Sequence, residues 1–204
     1  MLLFTFLLIG VALSQLLGGL ISWIVIKRFK QVKRILIVEM IMMSVIIAEL
    51  VWEGALITYL APLSMLAGIF LMLLLNKTIP HSHITGIERV GFLVFCAMCF
   101  HELPEGIAFG SAYILDKAVG ILTAALMAIH NIPEGSIVAI PYLLKKKSMH
   151  ALKALVLTQV AYCIGGFLTY VALFGLSQTA QAFAMTFAAG MMAYIVIEEL
   201  GYLR

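Results

Sequence analysis

Two histidine–glutamate pairs carry the chemistry of this chain. His101-Glu102-Leu103-Pro104-Glu105-Gly106 is followed, 29 residues on, by His130-Asn131-Ile132-Pro133-Glu134-Gly135. In each copy the histidine and the glutamate after the proline stand four apart, so on a helix they share one face. Imidazole together with carboxylate suits zinc, iron, manganese or nickel, and the motif holds no thiolate to narrow the choice. Each proline removes a backbone donor, predicting a kink and an unpaired carbonyl at Phe100 and at Ile129. Gly106 and Gly135 allow close helix approach. Packed face to face, two such helices bring together His101, Glu105, His130 and Glu134, with Glu102 at the edge of one face and Asn131 beside the other. Three carboxylates held so close repel one another unless protons or a cation are present, and a doubly charged metal relieves that repulsion. The plainer alternative is a polar helix interface without metal; duplication of the whole motif argues against it.

The elements that must position these residues are membrane helices. The chain has 204 residues, 64% hydrophobic and 11% charged, with a mean hydropathy of +1.13. Soluble domains carry roughly 25% charged residues, so this composition excludes an ordinary soluble enzyme and leaves no room for a separate soluble domain. Ionisable groups inside a bilayer are costly and face a protein interior or a water path. The three cysteines, Cys96, Cys99 and Cys163, all fall in apolar segments. An odd, buried set argues against a disulfide framework. Cys96 and Cys99 have metal-ligand spacing but read better as small core residues one turn apart. The N-terminus lacks a basic region and a small-residue cleavage site, so it is expected to be a retained first span.

At about 20 apolar residues per crossing, seven spans are expected, near 2–26, 35–53, 55–76, 90–115, 118–143, 151–175 and 179–200. Glu53-Gly54 is expected to separate the second from the third. The basic loops alternate with less basic ones: Lys27, Arg28, Lys30, Lys33 and Arg34 in the first; Lys77 and Arg89, with His81 and His83, in the third; Lys145, Lys146 and Lys147 in the fifth. The positive-inside bias makes that side cytoplasmic, with the N-terminus outside. A weaker repeat matches Gln15 to Trp23, containing Gly18-Gly19, with Tyr162 to Tyr170, containing Gly165-Gly166, at an offset of 147. Met42-Met43 and Glu49 match Met191-Met192 and Glu198 at an offset of 149. Matched spans run in opposite directions, which is the inverted repeat of many secondary transporters.

The two motifs resemble the fourth- and fifth-helix signatures of the ZIP divalent-metal transporters, particularly their bacterial zinc/iron-uptake branch. His130 to Gly135 is similar to the fifth-helix signature throughout; His101, Pro104, Glu105 and Gly106 are similar to the fourth. The outside N-terminus, the histidine-bearing third loop and the methionine and glutamate elements of spans two and seven extend the likeness over most of the chain. The resemblance implies an all-α polytopic bundle of eight helices arranged three, two, three. Here that reads as a single domain over 1–204, with a first repeat over 1–76, a central metal-binding pair over 90–143 and an incomplete second repeat over 151–204, the eighth helix missing. It also implies a two-metal site: His101, Glu105, His130 and Glu134 as first-site ligands, Asn131 in a second site bridged by the glutamates, and a methionine, Met43 or Met42, completing the first.

Three departures from the family pattern stand out. Glu102 occupies a position that is usually Asn. Tyr162 stands where the sixth helix often supplies a glutamate, with Gln159 one turn earlier. The last helix is absent.

The expected function is transport of a divalent metal, zinc first and iron or manganese as alternatives, across the cell membrane into the cytoplasm by alternating access. The metal is substrate, and no separate cofactor is expected. Partners are the metal and the bilayer, with a homodimer through the gap left by the eighth helix and no nucleic acid. A non-transporting or truncated relative is the alternative. An intramembrane metallohydrolase fits less well, because position 105 is glutamate and His101-Glu102 does not begin a His-Glu-x-x-His motif. Glu39, Glu49, Glu53, Glu198 and Glu199 read as solvated span ends or as acidic attraction at the pore mouths, and His150 as interfacial.

Overall fold

The computed structural model describes residues 1–29, 32–78, 87–172 and 177–203. Seven helices account for nearly all of them: α1 (Leu2–Phe29), α2 (Val32–Ile57), α3 (Ala61–Thr78), α4 (Ile87–Leu115), α5 (Lys117–Leu144), α6 (Ser148–Ala172) and α7 (Gln178–Leu203). Each contains a stretch of at least 18 residues long and apolar enough to cross a membrane. Leu13, Leu20, Phe70, Leu122 and Leu168 face outward, while Gln15, His101, Glu102, Asn131, Glu134 and Thr158 are buried. Apolar outside and polar inside is the partition of a bundle whose solvent is lipid.

The seven expected spans all form, with one boundary moved. Glu53-Gly54 does not separate α2 from α3; α2 runs on to Ile57. Gly54 lies inside it, packed against Thr186 of α7. The turn comes at Thr58, whose hydroxyl accepts from the Leu60 backbone N–H at 3.2 Å. Pro62, in the first turn of α3, costs no hydrogen bond there because first-turn N–H groups have no intrahelical partner. The prolines at 104 and 133 lie within continuous helices.

Between α4 and α5 the chain turns on Asp116, whose carboxylate accepts from the N–H groups of Ala118 at 2.7 Å and Val119 at 3.1 Å. This is a side-chain N-cap in extended backbone. Asp116→Ala is expected to cost about 1 kcal/mol, and Asp116→Asn much less. Faster hydrogen exchange at Ala118 and Val119 in the alanine variant alone would confirm the cap.

Packing divides the helices into two groups. In the first, α1 lies along α5 and α4 along α6, with α4 against α5. In the second, α2 and α3 both pack on α7. The groups meet chiefly where α7 lies on α4, with a smaller contact between α2 and α5. The first group contains the same crossing twice. Gly18 of α1 sits on the Ile132 carbonyl and Gly135 of α5 on the Gln15 carbonyl. In parallel, Gly165 of α6 sits on the Leu103 carbonyl and Gly106 of α4 on the Tyr162 carbonyl. Position for position, these pairs are related by the offsets of 147 and 29 seen in the sequence. The repeat is therefore present in the backbone crossings themselves.

Two apolar clusters flank the middle of the first group. The larger includes Met43, Val94, Met98, Ile137, Leu155 and Met192. It lies toward the end where α4 and α6 begin and α5 finishes. The smaller, at the opposite end, is aromatic: Phe4 stacks on Phe109 at 5.1 Å and on Tyr170 at 4.2 Å, with Tyr113 edge-on.

Candidate metal centre

The duplicated motif converges between the two clusters. His101 and Glu105 from α4, and His130 and Glu134 from α5, place one ligand atom each within 4.8 Å of one another. His101 Nε2 lies 2.7 Å from Glu134 Oε1 and 3.2 Å from Glu105 Oε1. His130 Nε2 lies 3.1 Å from Glu134 Oε1 and 3.7 Å from Glu105 Oε1. The imidazole centroids are 6.2 Å apart. Each carboxylate oxygen thus faces both rings, and each ring faces both carboxylates.

The helical spacing explains the arrangement. Positions four apart stack on one face, and the glycine after each glutamate lets α1 or α6 close in behind without pushing that face away. A tetrahedral ion with ligand bonds of about 2.1 Å sets neighbouring ligand atoms about 3.4 Å apart. The four nitrogen–oxygen separations, 2.7 to 3.7 Å, bracket that value. His101 and Glu134 are fully buried, and His130 is the most exposed of the four at 20% of its side chain. Glu105 Oε2, Glu134 Oε2 and His101 Nδ1 are buried without a hydrogen-bond partner in the protein. Buried polar atoms are normally paired, at a cost of about 1–3 kcal/mol when they are not. Carboxylate oxygens left in this state are what a cation would satisfy.

The other expected site residues fall around this set. Glu102 stands outside it. Its Oε1 accepts from Gln15 Nε2 of α1 and, at 2.8 Å, from Gln159 Nε2 of α6, while its Oε2, like those of Glu105 and Glu134, is buried without a hydrogen-bond partner in the protein. Asn131 is fully buried, and neither its amide nitrogen nor its oxygen has a hydrogen-bond partner in the protein. Met43 is buried in the larger apolar cluster with Met98 and Ile137. Tyr162 makes no hydrogen bond to the four His/Glu residues: its ring stacks on Phe109 at 6.3 Å and its hydroxyl points to Met127 Sδ at 3.6 Å. The three cysteines are free. His81 and His83 lie outside the described residues, as do the side chains of Glu39, Glu49 and Glu199.

Sequence reasoning had no role for Gln15 or Thr158, which the structure brings beside Glu102. Glu198, read as a solvated span end or as acidic attraction at a pore mouth, is half-buried and accepts from the Tyr194 hydroxyl at 2.6 Å and the Asn76 amide at 3.0 Å. No family model matches the chain, and no curated protein matches it in sequence.

Proposed function

We propose that this protein is a ZIP-type transporter that carries a divalent transition metal, zinc foremost, into the cytoplasm through the His101/Glu105/His130/Glu134 site. The observation that carries the proposal is the meeting of two copies of one motif in a single buried four-ligand set. A resident structural metal needs one good site. A site built symmetrically by a repeated helix pair, between two apolar seals in a membrane bundle, suits a cargo that enters from one side and leaves by the other.

The basic residues set the direction. Lys27, Lys77 and the Lys145–Lys147 turn mark one end of the bundle, so that end is cytoplasmic. Lys27 Nζ lies 4.8 Å over the Trp23 ring, an interfacial pairing that suits the same end. The larger apolar cluster then closes the cytoplasmic path and the aromatic cluster the outer one. Movement of the α1–α4–α5–α6 group, which holds the ligands, against the α2–α3–α7 group would open each path in turn. Four protein donors fill a tetrahedral set and leave no coordination position for a reacting water, which speaks against a hydrolase.

The test is zinc influx into reconstituted vesicles loaded with a zinc-sensitive dye, comparing wild type with His130→Ala/Glu134→Ala. Influx abolished in the double variant supports the proposal. No influx in the wild type, with stoichiometric zinc binding that the double variant loses, would leave a metal-binding relative that does not transport. Protons compete for the ligands, because imidazole must be neutral and carboxylate ionised to bind metal. Zinc affinity is therefore expected to fall from neutral to mildly acidic buffer, measured by calorimetric titration in detergent.

A further inference from the structure

The two halves of the repeat are not chemically equal. Glu102 of α4 and Asn131 of α5 are equivalent by the offset of 29, yet their surroundings differ. Glu102 Oε1 receives two amide N–H donors, from Gln15 on α1 and Gln159 on α6. Gln15 is itself oriented, because the Thr158 hydroxyl donates to its Oε1 at 2.8 Å, which turns its NH₂ toward Glu102. All four residues are buried. On the other half, the positions equivalent to Gln159 and Thr158 are Ala12 and Val11, and the position equivalent to Gln15 is Tyr162. Asn131 therefore has no such clasp, and its amide finds no partner in the protein.

Resting on the metal-site reading above, we infer that Gln15 and Gln159 are positioning residues. They clasp Glu102 through its Oε1, so that the side chain stays turned toward α1 and α6 and does not join His101, Glu105, His130 and Glu134 as a fifth, mobile ligand. Three features support this. A glutamate adjacent in sequence to a ligand histidine, buried and unclasped, could swing toward the metal and compete with Glu105 and Glu134. Two donors on a single oxygen, one from each flanking helix, hold that rotamer against α1 and α6. The donors come from the two helices that cross the motif glycines, so the clasp locks onto the same backbone frame that sets the ligands.

The experiment is a mutant cycle read with Co²⁺, whose visible spectrum reports coordination geometry. Gln15→Met and Gln159→Met remove the donors while keeping side-chain volume; Glu102→Gln replaces the carboxylate by an amide. Each methionine variant is expected to shift the Co²⁺ absorption bands and lower their intensity, as Glu102 becomes free to add a fifth ligand to the tetrahedral set. In the Glu102→Gln background the same replacements are expected to change neither affinity nor spectrum. Equal losses in both backgrounds would show that the glutamines matter only for packing, and would overturn the inference. So would methionine variants that fold and bind Co²⁺ with wild-type affinity and spectrum. Absence of Co²⁺ binding that depends on His130 and Glu134 in the wild type would instead defeat the metal-site reading itself.

Discussion

Glu134→Ala is expected to lower zinc affinity by about a hundredfold or more, and Glu105→Ala by less. A four-ligand zinc site is worth about 10–16 kcal/mol at neutral pH, so one of four ligands carries roughly 3 kcal/mol, or about two decades in affinity. The two glutamates are not placed alike. Glu134 Oε1 lies at 2.7 and 3.1 Å from the two imidazole nitrogens, and Glu105 Oε1 at 3.2 and 3.7 Å. Glu134 is also completely buried, where water cannot easily replace a lost ligand. In Glu105→Ala, a water reaching the site past the partly exposed His130 can take the vacated position. Calorimetric titration of both variants with Zn²⁺ checks the order. Equal losses would mean that the metal draws the ligands into a symmetric set and that the unequal separations have no energetic weight.

The meeting of His101, Glu105, His130 and Glu134 could be read from sequence because i,i+4 spacing translates directly into a shared helix face, and the motif supplied both halves. The helix crossings were legible only in part: Gly106 and Gly135 pointed to close approach, but a glycine does not name its partner helix, and the partners are α6 and α1. Glu102 was harder. At about 100° from His101 on the helix, it can turn to the metal or to a neighbouring helix. The choice is made by Gln15 and Gln159, which are 87 and 57 residues distant in sequence. An amide side chain in an apolar span looks the same in sequence whether it clasps a carboxylate or bonds its own backbone. Tyr162 raised the converse difficulty. Its position in the repeat pointed at the site, but an aromatic ring gains more by joining Phe4 and Phe109 than by facing carboxylates. The end of α2 was misplaced because Glu53-Gly54 resembles a helix stop, whereas Gly54 is needed within the helix for contact with α7.

Gly135→Ala and Gly106→Ala are expected to destabilise the bundle by about 3 kcal/mol each, the upper part of the range for overpacking. An added Cβ at 135 would meet the Gln15 carbonyl, and one at 106 the Tyr162 carbonyl, both well inside the 3.0 Å at which something must shift. Both obstacles are backbone, so no rotamer change relieves them and the helices must part. Parting α1 from α5 carries Glu134 away from His101, and parting α4 from α6 moves Glu105, so zinc affinity should fall together with stability. Gly10 provides the control, since it lies in α1 with nothing within 4 Å of its added Cβ. There the replacement should stabilise slightly, by up to about 1 kcal/mol, through helix propensity alone. Thermal melts in detergent, paired with zinc titration, separate the cases. If Gly135→Ala behaves like Gly10→Ala, the α1–α5 crossing is looser than the geometry requires. If Gly135→Ala and Gly106→Ala differ sharply from each other, the two crossings are not energetic equivalents, and the duplicated backbone does not bear the site evenly from both halves.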